Sequence, residues 1–163
     1  ERIEESEQPD LAAQYDYYYV PTFYVAGQKL HEGVANAVNA REIITGSLVN
    51  ARAIAAYIRS KSPEVVSLVA MGTDGVKSAQ EDVLCAEYIR SLLLDKPLDI
   101  AARAQALRFN GGEKFFNPDT QEIFPEADFA MCVDYDKFPF VLRIEKNADG
   151  RAVSRRIDVG DAL

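Results

Sequence analysis

Arg41-Glu-Ile-Ile-Thr-Gly-Ser-Leu-Val-Asn-Ala-Arg-Ala-Ile-Ala-Ala-Tyr-Ile58 changes its period part way along. Arg41 to Thr45 is short and β-branched, as a strand is, whereas Leu48, Ala51, Ile54, Ala55 and Ile58 recur at the spacing of one helix face. The small residues of Val34 to Ala40 predict a helix before the strand. After Pro63, Val65 to Met71 is nearly continuous apolar sequence, which predicts a parallel strand covered on both faces. Helix, strand, helix and buried strand in that order give an α/β fold with a partly parallel sheet and helices on both faces.

Towards the C-terminus, Gly72-Thr-Asp-Gly75 reads as a loop. A helix follows from about Ala79 to Leu94, with Cys85, Ala86, Ile89, Leu92 and Leu93 inward, until Pro97 stops it. Leu98 to Phe109 reads as another helix. Asn110-Gly-Gly112 and Asn117-Pro-Asp119 are turn sequences, and Pro125 to Val133 is a short helix opened by acids. Phe140 to Glu145 and Ala152 to Val159, around Asn147-Ala-Asp-Gly150, predict a closing β-hairpin. Towards the N-terminus, Tyr15 to Val25 is aromatic and β-branched on both sides of Pro21. With the turn at Ala26-Gly27-Gln28 it predicts a first hairpin running to Glu32. The acidic residues 1 to 11 read as a solvated start. Two regions result, 1–35 and 36–163, packed as one unit.

The 163 residues are 48% hydrophobic and 27% charged, enough for a real core. A net charge of −8 repels phosphate backbones and anionic lipid, which excludes nucleic acid and a polybasic membrane contact as expected partners. Mean hydropathy is −0.17, and no apolar run approaches the ~20 residues of a spanning helix. The opening residues show no basic stretch followed by an apolar one, and Cys85 and Cys132 form neither a CxxC pair nor a zinc-type cluster, so a soluble chain in a reducing cytoplasm is expected. With His31 as the single histidine, a divalent metal would have to be held by oxygen.

Two resemblances are carried by particular residues. Val20-Pro21-Thr22, Gly27 and Gly33, within about residues 5 to 35, resemble the second half of a thioredoxin-like or glutaredoxin-like protein, in which the proline is cis. The redox CxxC of that family precedes this segment, so the resemblance implies a fold fragment and no redox function. A trans proline at a strand edge accounts for the same residues. Gly46-Ser-Leu-Val-Asn-Ala-Arg-Ala-Ile-Ala55, Glu81-Asp-Val-Leu-Cys-Ala86 and Phe124-Pro-Glu-Ala-Asp-Phe-Ala-Met-Cys-Val-Asp-Tyr-Asp136 resemble, in order, the carboxy-terminal half of the 2-phosphosulfolactate phosphatase family. That resemblance implies a magnesium-dependent phosphatase of the coenzyme M route. The chain departs from the family where His31-Glu-Gly-Val34 stands for a Thr-Asn-Gly-Thr segment, and it has no counterpart of the family's amino-terminal half.

Phosphomonoester hydrolysis needs positive groups or a metal around the phosphoryl oxygens, an oriented water and a proton donor. Gly46 and Ser47, with Asn50 one turn on, open a helix whose amides and hydroxyl suit an anion; an N-cap explains Ser47 equally. Asp74 follows the predicted buried strand, at the sheet edge where α/β proteins bind ligands, and is a candidate metal ligand. Glu81 and Asp82 are adjacent hard-oxygen donors fit for Mg2+ and for catalysis, Asp82 the better placed. A Ser78 to Glu81 capping box is the structural alternative. Cys85 and Cys132 read as packed thiols, and Asp128, Asp134 and Asp136 with Lys137 as solvated surface. Arg103 and Arg108 are within reach of an anion, and His31 reads as a hairpin residue.

The expected function is Mg2+-dependent hydrolysis of a small phosphomonoester of the 2-phosphosulfolactate type, or a catalytically silent descendant of such an enzyme. The first rival is a non-catalytic binding or assembly module that keeps the anion pocket, with homo-oligomer formation as one way to cover a bare sheet edge. The second is a thioredoxin-like redox protein, which requires a reactive thiol.

Overall fold

The structure, a computed structural model, describes residues 20–21, 37, 40–72 and 77–160. Strands β1 (Val20–Pro21), β2 (Ile43–Gly46), β3 (Phe140–Lys146) and β4 (Ala152–Asp158) form one sheet in that spatial order. β1 lies parallel to β2, with Val20 opposite Thr45 and Pro21 opposite Gly46. β2 pairs antiparallel with β3, Ile44 opposite Arg143, and β3 with β4, Arg143 opposite Arg155. The closing hairpin forms as predicted, turning at Asn147, whose backbone N–H donates to Arg151 O at 2.9 Å. The first hairpin, the helix over 34–40 and His31 lie mostly or wholly outside the described residues. No peptide bond among the described residues is cis.

Four α-helices stand among the described residues: α1 (Ala51–Lys61), α2 (Gln80–Leu93), α3 (Ile100–Ala106) and α4 (Glu126–Val133). The predicted stripe Leu48, Ala51, Ile54, Ala55 and Ile58 is buried throughout. It packs with Leu84, Cys85 and Ile89 of α2 and with Ile44 and Val141, which share one face of the sheet. The burial of this face ends at β4, which is an almost wholly exposed edge strand. On the opposite sheet face, Ile43 meets a small cluster of Ala37 and Val69 with Ala40 and Met71, built from chain that is neither helix nor strand.

That cluster corrects one expectation. Val65 to Met71 is not a ladder strand; Leu68 makes a lone bridge within extended chain. Both edges of β2 are already taken, by β1 and β3, so the run has no edge there to join. It still buries apolar surface, Val66 and Leu68 against the main core and Val69 in the small cluster. The described sheet is therefore antiparallel apart from its β1–β2 pair.

Candidate functional site

α1 and α2 run in the same direction. Near the start of α1, the Arg52 backbone N–H donates to Asp136 Oδ1 at 2.9 Å, and Tyr88 of α2 donates its hydroxyl to Asp136 Oδ2 at 2.5 Å. Near the end of α1, Arg59 hydrogen-bonds Leu92 O and pairs with Asp95 at 2.5 Å. The contacts advance together along both helices, so both N-termini lie at one end of the molecule. Asp82 stands ~9 Å beyond Tyr88 along the α2 axis, since each residue rises ~1.5 Å.

At the N-terminus of α1, Asn50 and Gly46 are used by the fold. Asn50 is 3% exposed; its Oδ1 accepts from the Ser47 N–H at 3.0 Å and its Nδ2 donates to Phe140 O at 3.2 Å. Gly46 is buried in the β1–β2 ladder. Of the amides in the first turn, that of Arg52 is taken by Asp136. The Arg52 guanidinium also reaches Asp136, Nε to Oδ2 at 3.2 Å. Asp136 is thus corrected from surface residue to an internal clasp of α1, α2 and the α4–β3 link. Its side chain is 10% exposed, and its backbone is left-handed at φ 55°. Burial first, then the bond to Asp136, raises the Tyr88 pKa. Asp134 does lie at the surface, pairing with Lys137 at 3.1 Å.

The N-terminus of α2 is built differently. Its N-cap is Ala79, without a side-chain hydrogen bond, so the Ser78 to Glu81 capping box does not form. Gln80, Glu81 and Asp82 project in three directions, as consecutive helix positions must at 3.6 residues per turn. Asp82 turns inward: it is 4% exposed, and its Oδ2 accepts from the Gly72 N–H at 2.7 Å. Burial pushes its pKa up to about 6 against the opposing effect of the Gly72 bond, and the Glu81 charge adds to the rise. Gly72 has φ 68°, and a Cβ there would lie 2.1 Å from Lys77 O, so only glycine fits this approach to Asp82. Glu81 faces the other way, its Oε2 3.4 Å from where a Cβ on Gly111 would sit. Gln80 lines an open cavity of about 130 Å³ with Leu84, Arg103, Ala106, Leu107 and Asn110.

Glu81 and Asp82 therefore sit together at one helix start, while Ser47 and Asn50 form a separate group. Among the described residues no hydrogen bond or ion pair joins the two. Asp74 lies outside the described residues, and among those described no three His, Cys, Asp or Glu side chains gather as a metal cage. Mg2+ is commonly held by one or two carboxylates with waters, and Asp82, ionised above about pH 6, is a hard donor of that kind. The thiols do not suit redox chemistry. Cys85 is fully buried, and the Cys132 pKa is raised, first by burial and then by the Asp128 and Glu81 charges, against Lys114. Arg108 stacks over the Phe116 ring at 3.8 Å, which occupies its cationic face. No described helix is long and apolar enough to cross a membrane.

A family model described as 2-phosphosulpholactate phosphatase matches residues 29–147, beginning before residue 36 and ending ahead of β4. A curated relative, the "Probable 2-phosphosulfolactate phosphatase" of Bacillus subtilis (strain 168), is 26% identical over a match of 139 residues that covers 80% of this chain. The chain spans 58% of that relative's length.

Proposed function

Since the chain belongs to the 2-phosphosulpholactate phosphatase family, we propose that it hydrolyses a small phosphomonoester of the 2-phosphosulfolactate type with Asp82 at the reacting end of the site. The observation that carries this reading is the state of Asp82. A carboxylate that is 4% exposed, accepts from the Gly72 N–H and has a pKa pushed up by burial to about 6 is held at a cost to folding, which is how groups reserved for chemistry differ from structural ions.

Above pH 6 Asp82 is a buried carboxylate in the first turn of α2, beside helix amides that favour the phosphoryl oxygens. The Gly72 N–H holds Oδ2 and so fixes the orientation of the carboxylate. Glu81, at the neighbouring position, keeps the local field negative enough for a cation, and Asp82 with Asp74 would hold Mg2+. When bound, the ion would neutralise phosphoryl charge. Ser47, Asn50 and Gly46 enter as the frame that seats α1 against β3 rather than as substrate ligands.

Phosphate release from 2-phosphosulfolactate, measured with Mg2+ and with chelator, tests the reading. Release that needs Mg2+ and falls at least a hundredfold in Asp82→Asn supports it. No release, or release indifferent to Asp82, sinks it and favours the binding-module rival.

A further inference from the structure

The two edges of the described sheet are built differently. β1, at one edge, is two residues long and ends on Pro21, which has no N–H to offer a neighbour. β4, at the other, runs for seven residues without proline or glycine, and its register with β3 is unbroken by a bulge. Asn147 N–H donates to Arg151 O and Val159 N–H to Pro139 O, so Val153, Arg155 and Ile157 are the residues of β4 that hydrogen-bond β3. The N–H and C=O groups of Ala152, Ser154, Arg156 and Asp158 therefore point away from the sheet, and no described strand takes them. Charged side chains ordinarily guard such an edge, but those of β4 are tied down within the hairpin. Arg155 pairs with Glu145 at 2.7 Å, and Arg156 pairs with Asp158 at 2.7 Å while lying over the Phe140 ring at 4.2 Å. Val153, exposed on the same strand, adds apolar surface.

We propose that this edge docks β4 of a second copy of the chain, antiparallel, so that the sheet continues across a two-fold axis. In such a pairing the position of the axis decides which side chains face each other. An axis at Arg155 or Arg156 sets an arginine against its own copy, and one at Ser154 sets no opposite charges together. Only an axis at Ile157 does so within β4, placing Arg156 of each copy opposite Asp158 of the other. That register also joins residues whose backbone groups already point outward, so Arg156 and Asp158 exchange main-chain hydrogen bonds as well as charge, and Ile157 meets Ile157 across the axis. β4 lies after residue 147, where the family match ends, and the interface does not depend on the phosphatase reading.

Sedimentation equilibrium and 15N NMR of the full chain over a dilution series test the interface. A reversible dimer is expected. As it forms, amide exchange at Arg156 and Asp158 should slow about tenfold, whereas the amides of Val153, Arg155 and Ile157, bonded to β3 in the monomer, are protected at every concentration. Arg156→Asp sets acid against acid on both sides of the axis and should raise the dimer Kd about tenfold. Adding Asp158→Arg to it restores opposite charges and should return the Kd to within about threefold of the wild type. Melting temperature in the dilute limit separates these effects from a folding defect. A chain that is monomeric at every concentration overturns the proposal. So does a dimer that leaves the Arg156 and Asp158 amides unprotected, or one that the single reversal does not weaken and the double exchange does not restore.

Discussion

Two carboxylates serve the two parallel helix starts, and they are opposites. Asp136 accepts from the Arg52 amide, the Arg52 guanidinium and the Tyr88 hydroxyl, so its charge is matched on both oxygens. Asp82 is buried and, among the described residues, accepts from one backbone N–H, that of Gly72, while burial raises its pKa to about 6. A carboxylate given every donor it needs holds helices in place. One that burial drives towards its protonated form, with a single donor among the described residues, is a costlier charge, which a metal or a proton can relieve. The proposed function therefore places chemistry at the α2 end and leaves the α1 end to structure.

Exchanging each acid for a neutral residue breaks or sharpens that contrast. The largest effect is expected on activity in Asp82→Asn. Turnover should fall by a factor of ~10²–10³, the scale of removing one electrostatic group from a phosphoryl-transfer site. Melting temperature should stay level or rise. Next comes Asp136→Ala, which strands the Tyr88 hydroxyl and the Arg52 guanidinium. A loss of ~2–4 kcal/mol in urea unfolding is expected, with turnover per folded molecule nearly kept. Should the two variants exchange phenotypes, the assignment above is wrong. Gly72→Ala follows at ~1–3 kcal/mol. Its Cβ meets Lys77 O, and the displaced loop would lengthen the Asp82 bond, which the Gly72 amide proton shift would report.

The frame was legible where a pattern is local. The α1 stripe and the closing hairpin are written in periods of 3.6 and 2, and each element forms within three residues of its predicted ends. Val65 to Met71 misled because apolarity reports burial, whereas a strand also needs a free edge, and β1 occupies the edge of β2 that this run would have used. The site was half legible. Glu81 and Asp82 stand where the sequence placed them, but Asp136 gained its role from partners 84 and 48 residues away, which no window on the sequence contains. The left-handed backbone at Asp136 is of a kind that Asp tolerates better than most residues, a weak local hint.

The smallest predicted effect is also the most direct probe of Asp82. Its folded pKa of about 6 lies above the ~3.9 of an unfolded chain. Between those values the folded protein binds more protons than the unfolded one, so stability from this group is full below pH 4 and declines as pH rises through 6. An asparagine resembles the protonated acid and does not titrate. The stability of Asp82→Asn minus that of the wild type should therefore be smallest near pH 4, grow through pH 6, and level off on the order of 2 kcal/mol higher by pH 7.5. Urea unfolding of both proteins at a series of pH values reads this difference. A flat difference means Asp82 is not desolvated, and a falling one means a cation already satisfies it. Millimolar Mg2+ adds a second axis. If Asp82 is a ligand, the ion lowers its folded pKa, stabilises the wild type alone and shrinks the gap between the two proteins at neutral pH. If the gap does not change, Asp82 acts through its proton instead.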